Sequence, residues 1–319
     1  MKVYDCVPFF NEFEVLRLRM ACLEDVVDRF VVVEAHQTHA GNPKPLHLAG
    51  GGAPDLLAHP KLALHAVDLP VGRSDWARDQ FQRDSLGAAL AGLGAGPGDM
   101  VLVSDVDEIP DVAALARARQ ALAAGGGRTI LAFEQRLFYF RLNYELVWSR
   151  KLPWIGTAAA RYEHVASVNG VRTTARNIRG RHALGFDAGA RVLRLPGAGW
   201  HFSYVGDDAA LEQKLAAHEE HGRKRRDGGA IGELIAGRRS LFPRGGLEEV
   251  WAVMCPEAVG LPAAAVAKAG VAHLFASPHD SSAEILRRVR ESAVPRRWRL
   301  GRYEIGYARR SPWPRLGDD

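Results

Sequence analysis

The sequence has few cysteines and no long apolar run, and each absence excludes a class of protein. The three cysteines, Cys6, Cys22 and Cys255, are far apart and form no CxxC pair. This spacing argues against a disulfide framework and against a zinc site. No run of roughly eighteen or more apolar residues occurs, so no membrane-spanning helix is predicted. With 47% hydrophobic and 25% charged residues the composition is globular, and we expect a cytoplasmic protein without a signal peptide.

Positive charge is in excess and is concentrated at the C-terminal end. The net charge is +5, and ten arginines lie between residues 287 and 315, interleaved with Trp298, Tyr303, Tyr307 and Trp313. A basic aromatic tail of this kind is expected to be a solvated segment; the alternatives are peripheral contact with the inner face of an anionic membrane and contact with an acidic partner. No nucleic-acid partner is expected. The shift in composition places a domain boundary between a domain at 1–276 and an extension at 277–319.

The first half of the sequence alternates short apolar runs with amphipathic stretches. Strands are predicted at 3–10, 30–34, 62–67, 100–104 and 129–133, and helices after residue 12, at 75–90 and at 111–124. The second half is less regular, with short strands within 192–204 and a helix over 209–222. The alternation predicts an α/β fold with a mostly parallel central sheet and helices on both faces.

The most informative segment is 100–110, in which an apolar strand is followed by two aspartates one residue apart. Ligands of open α/β sheets bind beyond the carboxyl ends of the strands. Alternate residues of an extended segment face the same way, so Asp105 and Asp107 are predicted to reach one divalent cation that holds a phosphate. Capping of the following helix is the alternative, but Asp111 already fits that role.

Polar side chains also follow the first two predicted strands. Asn11 and Glu12 end the first strand and Glu34 ends the second. Because these strand ends meet at one edge of the sheet, the three side chains are predicted to surround a nucleoside; helix capping is the alternative for each.

Two further segments carry candidate ligand-binding groups. In the helix predicted at 75–90, Arg78, Arg83 and Asp84 are candidates for substrate binding, since an arginine can pair with a phosphate. A solvated charged face is the alternative. His201 lies in an aromatic strand, where it is a candidate metal ligand or a hydrogen-bonded core histidine.

Taken in order, these segments resemble glycosyltransferase family 17, whose animal members add the bisecting N-acetylglucosamine to N-glycans. The matching stretches are 4–12, 30–34, 41–46, 81–84, 104–110 and 199–203. The resemblance implies an A-type nucleotide-sugar transferase fold (GT-A-like), a UDP-sugar donor, by analogy UDP-N-acetylglucosamine, and transfer with inversion. The chain lacks the cysteines that flank the tryptophan–histidine segment in the animal members. We therefore expect a bacterial-type glycan or a lipid-linked sugar as acceptor.

The resemblance also implies roles for individual residues. Asp105 and Asp107 would engage Mn²⁺ or Mg²⁺ and the diphosphate, with His201 as a further ligand. The expected substrate-binding residues are Pro8, Asn11, Glu12, Glu34, Lys44, Arg78, Arg83, Asp84 and Trp200. In this interpretation the catalytic domain at 1–276 consists of a nucleotide-binding part at about 1–135 and an acceptor part at about 136–276.

An inverting transfer needs a general base that accepts the proton of the acceptor hydroxyl. The candidates are Glu134, Glu145, Asp207 and Asp208. Glu134, which ends the predicted strand after the aspartate motif, is preferred over Asp208, and helix capping is the alternative for one of the two adjacent aspartates. Two other functions remain open. A haloacid-dehalogenase-type phosphohydrolase also carries Asp-x-Asp after an apolar strand, and a non-catalytic protein could bind a nucleotide sugar or a glycan.

Overall fold

The structure is a computed structural model that describes residues 1–149, 152–176, 185–206, 211, 230–240 and 249–292. The chain divides into two compact units. The first contains Met1–Gln135 and Ile155–Trp200, and the second contains Arg136–Trp154 and His201–Asp319. None of the helices in the described part of the chain combines the length and the apolar character that crossing a bilayer requires.

The first unit opens with a regular alternation of strands and helices. Its elements are β1 (Val3–Phe9), α1 (Phe13–Leu23), β2 (Arg29–Ala35), α2 (Pro54–Leu57), β3 (Leu62–Val67), α3 (Asp75–Gly92), β4 (Met100–Val103), β5 (Glu108–Pro110) and α4 (Val112–Ala124). The later elements, in chain order, are β6 (Thr129–Tyr139), β7 (Tyr144–Ser149), β8 (Trp154–Arg161), α5 (Val168–Ala175), β9 (Arg191–Leu195), β10 (Gly199–Ser203), α6 (Ile231–Ala236), β11 (Glu249–Val253), α7 (Pro256–Val259), α8 (Ala263–Ala269) and α9 (Ser282–Glu291).

The sheet of the first unit has a parallel centre. Strands β3, β2, β1 and β4 lie side by side in that order, and all three pairings are parallel. Strand β8 runs antiparallel to β4, and β9 runs parallel to β6. The chain moves outward from β1 to β3 and then returns to place β4 on the other side of β1. The carboxyl ends of β1 and β4 therefore form the switch point at which α/β proteins bind ligands.

Helices cover both faces of this sheet, as the sequence predicts. Tyr4 and Cys6 face one side, where they pack with Leu86 of α3 and Val171 of α5. Side chains alternate along a strand, so Asp5 faces the opposite side, and there it meets Arg19 of α1. The predicted α/β class with helices on both faces is confirmed, and the sheet is mixed, with a parallel centre and antiparallel strands beside it.

The predicted helix at 111–124 begins as expected. The carboxylate of Asp111 accepts a hydrogen bond from the Ala114 N–H at 3.0 Å, which makes Asp111 the N-cap of α4. The predicted strands at 3–10, 30–34, 62–67, 100–104 and 129–133 are all present. The last of them continues to Tyr139, so Glu134 lies within β6 and not at its end as predicted.

The second unit contains an antiparallel pair, β7 and β11. Tyr144 and Trp251 stack across it, with ring centroids 5.2 Å apart. Asp280 accepts hydrogen bonds at 2.8 Å from Arg238 and from the Val253 N–H, and Arg288 of α9 lies 2.9 Å from the same carboxylate. Asp280 therefore ties β11 to α9. The helix predicted at 209–222 lies, except for Leu211, outside the described residues.

Candidate active site

A tight turn follows β4 and carries the two aspartates. The Glu108 N–H donates to the Asp105 carbonyl at 3.0 Å, and the Asp105 N–H donates to the Glu108 carboxylate at 2.9 Å. Because Val106 and Asp107 lie within this turn, the segment is not extended. The alternation of an extended strand therefore does not apply to Asp105 and Asp107, and their joint contact with one cation stays a prediction.

The backbone of this turn is held by a fully buried arginine. The guanidinium of Arg19 forms a bidentate ion pair with Asp5, at 2.7 and 2.5 Å, and donates to the Ser104 hydroxyl at 2.7 Å. The same group donates to the carbonyls of Asp105 and Glu108, at 3.2 and 2.9 Å, and also to that of Val106. Arg19 therefore fixes the turn from the side opposite α3 and α5.

The Asp105 carboxylate is bound by two arginines from two helices. Arg83 of α3 lies 2.9 Å from its Oδ1, and Arg172 of α5 lies 2.6 Å from its Oδ2. Arg172 also forms an ion pair with both oxygens of Glu108 and donates to the Gly156 carbonyl at 3.2 Å. Both guanidinium groups are buried. The result is a linear network, Glu108–Arg172–Asp105–Arg83, at the switch point.

The network strongly favours the ionised form of Asp105. Burial alone raises the pKa of a carboxyl group, but the charges of Arg172, Arg83 and Arg176 outweigh that effect and hold the pKa of Asp105 well below its usual range. Burial lowers the pKa of Arg176, and repulsion by Arg172 lowers it further. Three guanidinium groups therefore share one electrostatic environment around Asp105.

Asp84 positions α5 relative to α3. Its carboxylate accepts hydrogen bonds from the Ser167 hydroxyl at 2.8 Å and from the Asn169 N–H at 2.9 Å, at the first turn of α5. Because α5 carries Arg172, this contact helps to set the network. The arrangement favours a structural role for Asp84 over its predicted contact with substrate.

The carboxylate of Glu34 is occupied by the loop that follows β2. Glu34 is fully buried and accepts hydrogen bonds from the N–H groups of His47, Leu48 and Ala49, at 3.1 Å for Ala49. Lys44 lies 3.6 Å from Glu34 and 5.3 Å above the ring of Phe10. Burial lowers the pKa of Lys44, while Glu34 acts in the opposite direction. These contacts favour a structural role for both residues over contact with a nucleoside.

The other residues predicted to line the nucleoside and phosphates are also engaged locally. Glu12 accepts hydrogen bonds from the N–H groups of Phe10 and Asn11, at 3.1 and 3.2 Å. Arg78 donates to the carbonyls of Pro70 and His39, at 3.2 and 2.9 Å, and so ties α3 to two loops. Pro8 lies near the carboxyl end of β1, opposite Val33 of β2, at the edge where the nucleoside is expected.

Of the two residues preferred as the general base, the structure describes Glu134 but not Asp208. Glu134 and Gln135 are neighbours in β6 and point to opposite faces of the sheet. Gln135 donates to the Ile109 carbonyl and to Thr157, whereas Glu134 lies 3.7 Å from Arg194 of β9. The side chain of Glu134 therefore lies on one face of the sheet, and the side chain of Gln135, which contacts β5, lies on the other. Asp208 lies outside the described residues.

Within the described ranges, no three histidine, cysteine, aspartate or glutamate side chains come together as a metal centre. Of the predicted ligands, Asp105 and Asp107 belong to the first unit and His201 to the second. His201 packs against Trp154, with ring centroids 4.6 Å apart, and is 6% exposed. The predicted centre of three protein ligands would combine residues of both units and stays a prediction. Trp200, at the end of the first unit, is buried.

Sequence reasoning missed Arg19, Arg172 and the structural role of Glu108. Arg19 looks like any other charge on α1, and Arg172 lies far from the aspartate motif in the sequence. The one available signal was that Glu108 and Asp105 are three residues apart, as in a turn. Nothing in the spacing of the arginines indicates that they converge on it.

Comparison with known proteins identifies the class. The model of glycosyltransferase family 17 matches residues 1–176, which is more than half of the chain. The chain therefore belongs to glycosyltransferase family 17, and it is an enzyme of the glycosyltransferase class. Together with the strand order, this membership confirms the predicted GT-A-like fold and decides against the phosphohydrolase alternative.

Relatives with named activities match a shorter part of the chain. Beta-1,4-mannosyl-glycoprotein 4-beta-N-acetylglucosaminyltransferases from Rattus norvegicus and Homo sapiens are each 33% identical over 118 residues, 34% of this chain and 22% of theirs. The match thus spans about a fifth of the length of these relatives.

Among solved structures, the mannosyltransferase PcManGT from Pyrobaculum calidifontis, in complex with GDP-Man and Mn²⁺, is similar with a TM-score of 0.40. The two sequences are 17% identical, and the match covers 94% of this chain and 82% of the mannosyltransferase chain. A cytidylyltransferase (IspD) from Francisella tularensis has a TM-score of 0.37 and 10% identity, covering 68% of this chain and 100% of its own. These scores are too low to carry an argument about the site.

Proposed function

We propose that this enzyme transfers N-acetylglucosamine from UDP-N-acetylglucosamine, with inversion and with the help of a divalent cation, to a hydroxyl of a glycan or lipid-linked sugar. The observation that carries the proposal is the charged, preformed turn at the switch point of a family 17 chain. Similarity to N-acetylglucosaminyltransferases supports the choice of sugar.

The fit of a cation differs between the two aspartates. Mn²⁺ or Mg²⁺ that arrives with a nucleotide needs only one or two carboxylates, because phosphates and water complete its shell. Asp107 supplies a hard oxygen donor of this kind. Asp105 does not fit, because both of its oxygens lie within ion-pair distance of arginines. We therefore propose Asp107 as the protein's ligand to the metal–diphosphate.

The charge balance around the turn supports the need for a cation. The side chains that interact are the arginines 83, 172 and 176 and the acids Asp79, Asp105 and Glu108. Among the described residues, the arginines of this network are thus matched by an equal number of carboxylates, which leaves no surplus positive charge in the network for a diphosphate. A bound divalent cation neutralises the charge that develops on the departing diphosphate.

The chain's own residues supply binding and orientation. Arg83 presents N–H groups suited to a phosphate oxygen, and the carboxyl ends of β1 and β2 form the edge where we propose that the nucleoside lies. Either Glu134 or Asp208 would accept the proton of the acceptor hydroxyl, and a Glu134→Gln variant tests the first directly. If activity survives this change, Glu134 is excluded and Asp208 becomes the preferred candidate.

The test is UDP release from UDP-N-acetylglucosamine in the presence of Mn²⁺, before and after treatment with a chelator. We expect release to depend on the cation and to fall by about a hundredfold or more in Asp107→Asn, because a single group that stabilises developing charge has an effect of this size. An unchanged rate after chelation would refute the role of the cation. Tight binding of the donor without any UDP release would identify a binding protein instead.

A further inference from the structure

We propose that Asp105 is a positioning residue and that, held by Arg172 and Glu108, it fixes the guanidinium of Arg83 as a binding site for the phosphate oxygens of the donor. This inference rests on the proposed function, because a nucleotide-sugar donor supplies the diphosphate. It separates the roles of two aspartates that the sequence motif presents as equivalent.

The first step concerns the oxygens of Asp105. Oδ1 lies 2.9 Å from Arg83, and Oδ2 lies 2.6 Å from Arg172. A cation that took either oxygen would compete with a buried guanidinium group for the carboxylate and would weaken one of these two ion pairs, which is costly. The geometry therefore favours carboxylate–arginine pairing at Asp105 over metal ligation.

The second step concerns Arg172, whose terminal nitrogens are all engaged. Nη1 contacts Glu108 and the Gly156 carbonyl, and Nη2 contacts Asp105 and Glu108. Arg172 has few donors left for a ligand. Its role is to hold Asp105 in one orientation, with Glu108 as the fixed point in the turn.

The third step concerns Arg83, whose contacts are unevenly distributed. Its Nη2 lies 2.9 Å from Asp105 and 3.2 Å from Asp79. Its Nε and Nη1 are buried and have no hydrogen-bond partner among the described residues. A buried N–H group without a partner is destabilising, and a guanidinium is well suited to an anionic oxygen. The donor's phosphate oxygens are the ligands that fit this group at the switch point.

Calorimetric titration with inorganic pyrophosphate, at several fixed Mn²⁺ concentrations, tests the assignment without depending on the nucleoside or the sugar. We expect Arg83→Lys and Asp105→Asn each to weaken pyrophosphate binding about ten- to a hundredfold at saturating Mn²⁺, as for the loss of a charged hydrogen bond. The double variant should bind no worse than Arg83→Lys alone, since the two residues act as one unit.

The Mn²⁺ dependence distinguishes the two aspartates. In Asp105→Asn the Mn²⁺ concentration for half-maximal binding should be unchanged, whereas in Asp107→Asn it should rise. The matched control is Asp55→Asn, which removes an exposed bidentate pair with Arg17 at 2.7 and 2.8 Å and should leave binding unchanged.

Three results would overturn the inference: recovery of Asp105→Asn at high Mn²⁺, additive losses in the double variant, or no pyrophosphate binding by the folded wild-type enzyme. Thermal melting of each variant separates misfolding from loss of the site. If Asp105→Asn does not fold, Arg83→Lys still tests the inference, because it preserves the buried positive charge. Pyrophosphate binding as expected without UDP release would refute the proposed function and leave this inference standing.

Discussion

At the scale of single residues, two arginines of α1 differ in burial and in the groups that they contact. Arg17 pairs with Asp55 at the surface, whereas Arg19 is fully buried and joins Asp5, Ser104 and three carbonyl groups of the turn. The two residues are nearly equivalent in the sequence. Their contributions to the free energy of unfolding differ, because a buried charge that loses its partners destabilises the native state far more than a solvated charge does.

We expect Arg19→Met to lower the free energy of unfolding by about 3–5 kcal/mol, because it leaves Asp5 buried and unpaired. Arg17→Met should lower it by less than about 1 kcal/mol, because an exposed ion pair contributes little. Urea denaturation followed by circular dichroism measures both. Equal, small effects would show that Arg19 is not essential to the core.

At the scale of elements, Asp280 connects β11 and α9 through hydrogen bonds to the Val253 N–H and to two arginines. Burial opposes ionisation of Asp280, but hydrogen bonds from Arg238, the Val253 N–H and Arg288 outweigh it and hold the pKa of Asp280 below its usual range. The native state therefore binds this proton less readily than the unfolded state.

Asp280→Asn should lower the free energy of unfolding by about 2–3 kcal/mol at neutral pH, the size expected for charged hydrogen bonds. Since the folded pKa lies below the unfolded one, this stabilisation is present above the ordinary pKa of an aspartate. It is lost as the pH falls through the lower, folded value. Urea denaturation from pH 7 to pH 3 should show the difference between wild type and variant shrinking. A constant difference would mean that the ionisation of Asp280 is not responsible.

At the scale of the whole molecule, the basic aromatic tail begins in α9, which carries Arg287, Arg288 and Arg290; its part after residue 292 lies outside the described residues and remains a prediction from the sequence. Deleting residues 294–319 should lower binding to vesicles that contain anionic lipid, more so at low salt, because the attraction is electrostatic. Cosedimentation with vesicles measures this, with UDP release as the control for an intact site. Equal binding by both forms would exclude a role of the tail at membranes.

Much of the fold follows from the sequence. The strands at 62–67 and 100–104 and the cap at Asp111 were predictable because apolar runs, their lengths and capping residues are local signals. The geometry of the site was less predictable. Arg172 contacts Asp105, which is 67 residues away in the sequence, and the Glu34 carboxylate accepts hydrogen bonds from three backbone N–H groups of a later loop. Contacts between distant parts of the sequence therefore determine the positions of both side chains.

The contacts of Arg19 with the turn after β4 have a consequence for thermodynamics. A segment whose carbonyls are already anchored in the core loses little conformational freedom when a ligand arrives. Binding of the proposed nucleotide-sugar donor to this turn should therefore carry only a small entropic penalty from the protein. Other enzymes gain a rigid site when a loop closes over the bound ligand. In this protein the turn is already rigid once the chain has folded.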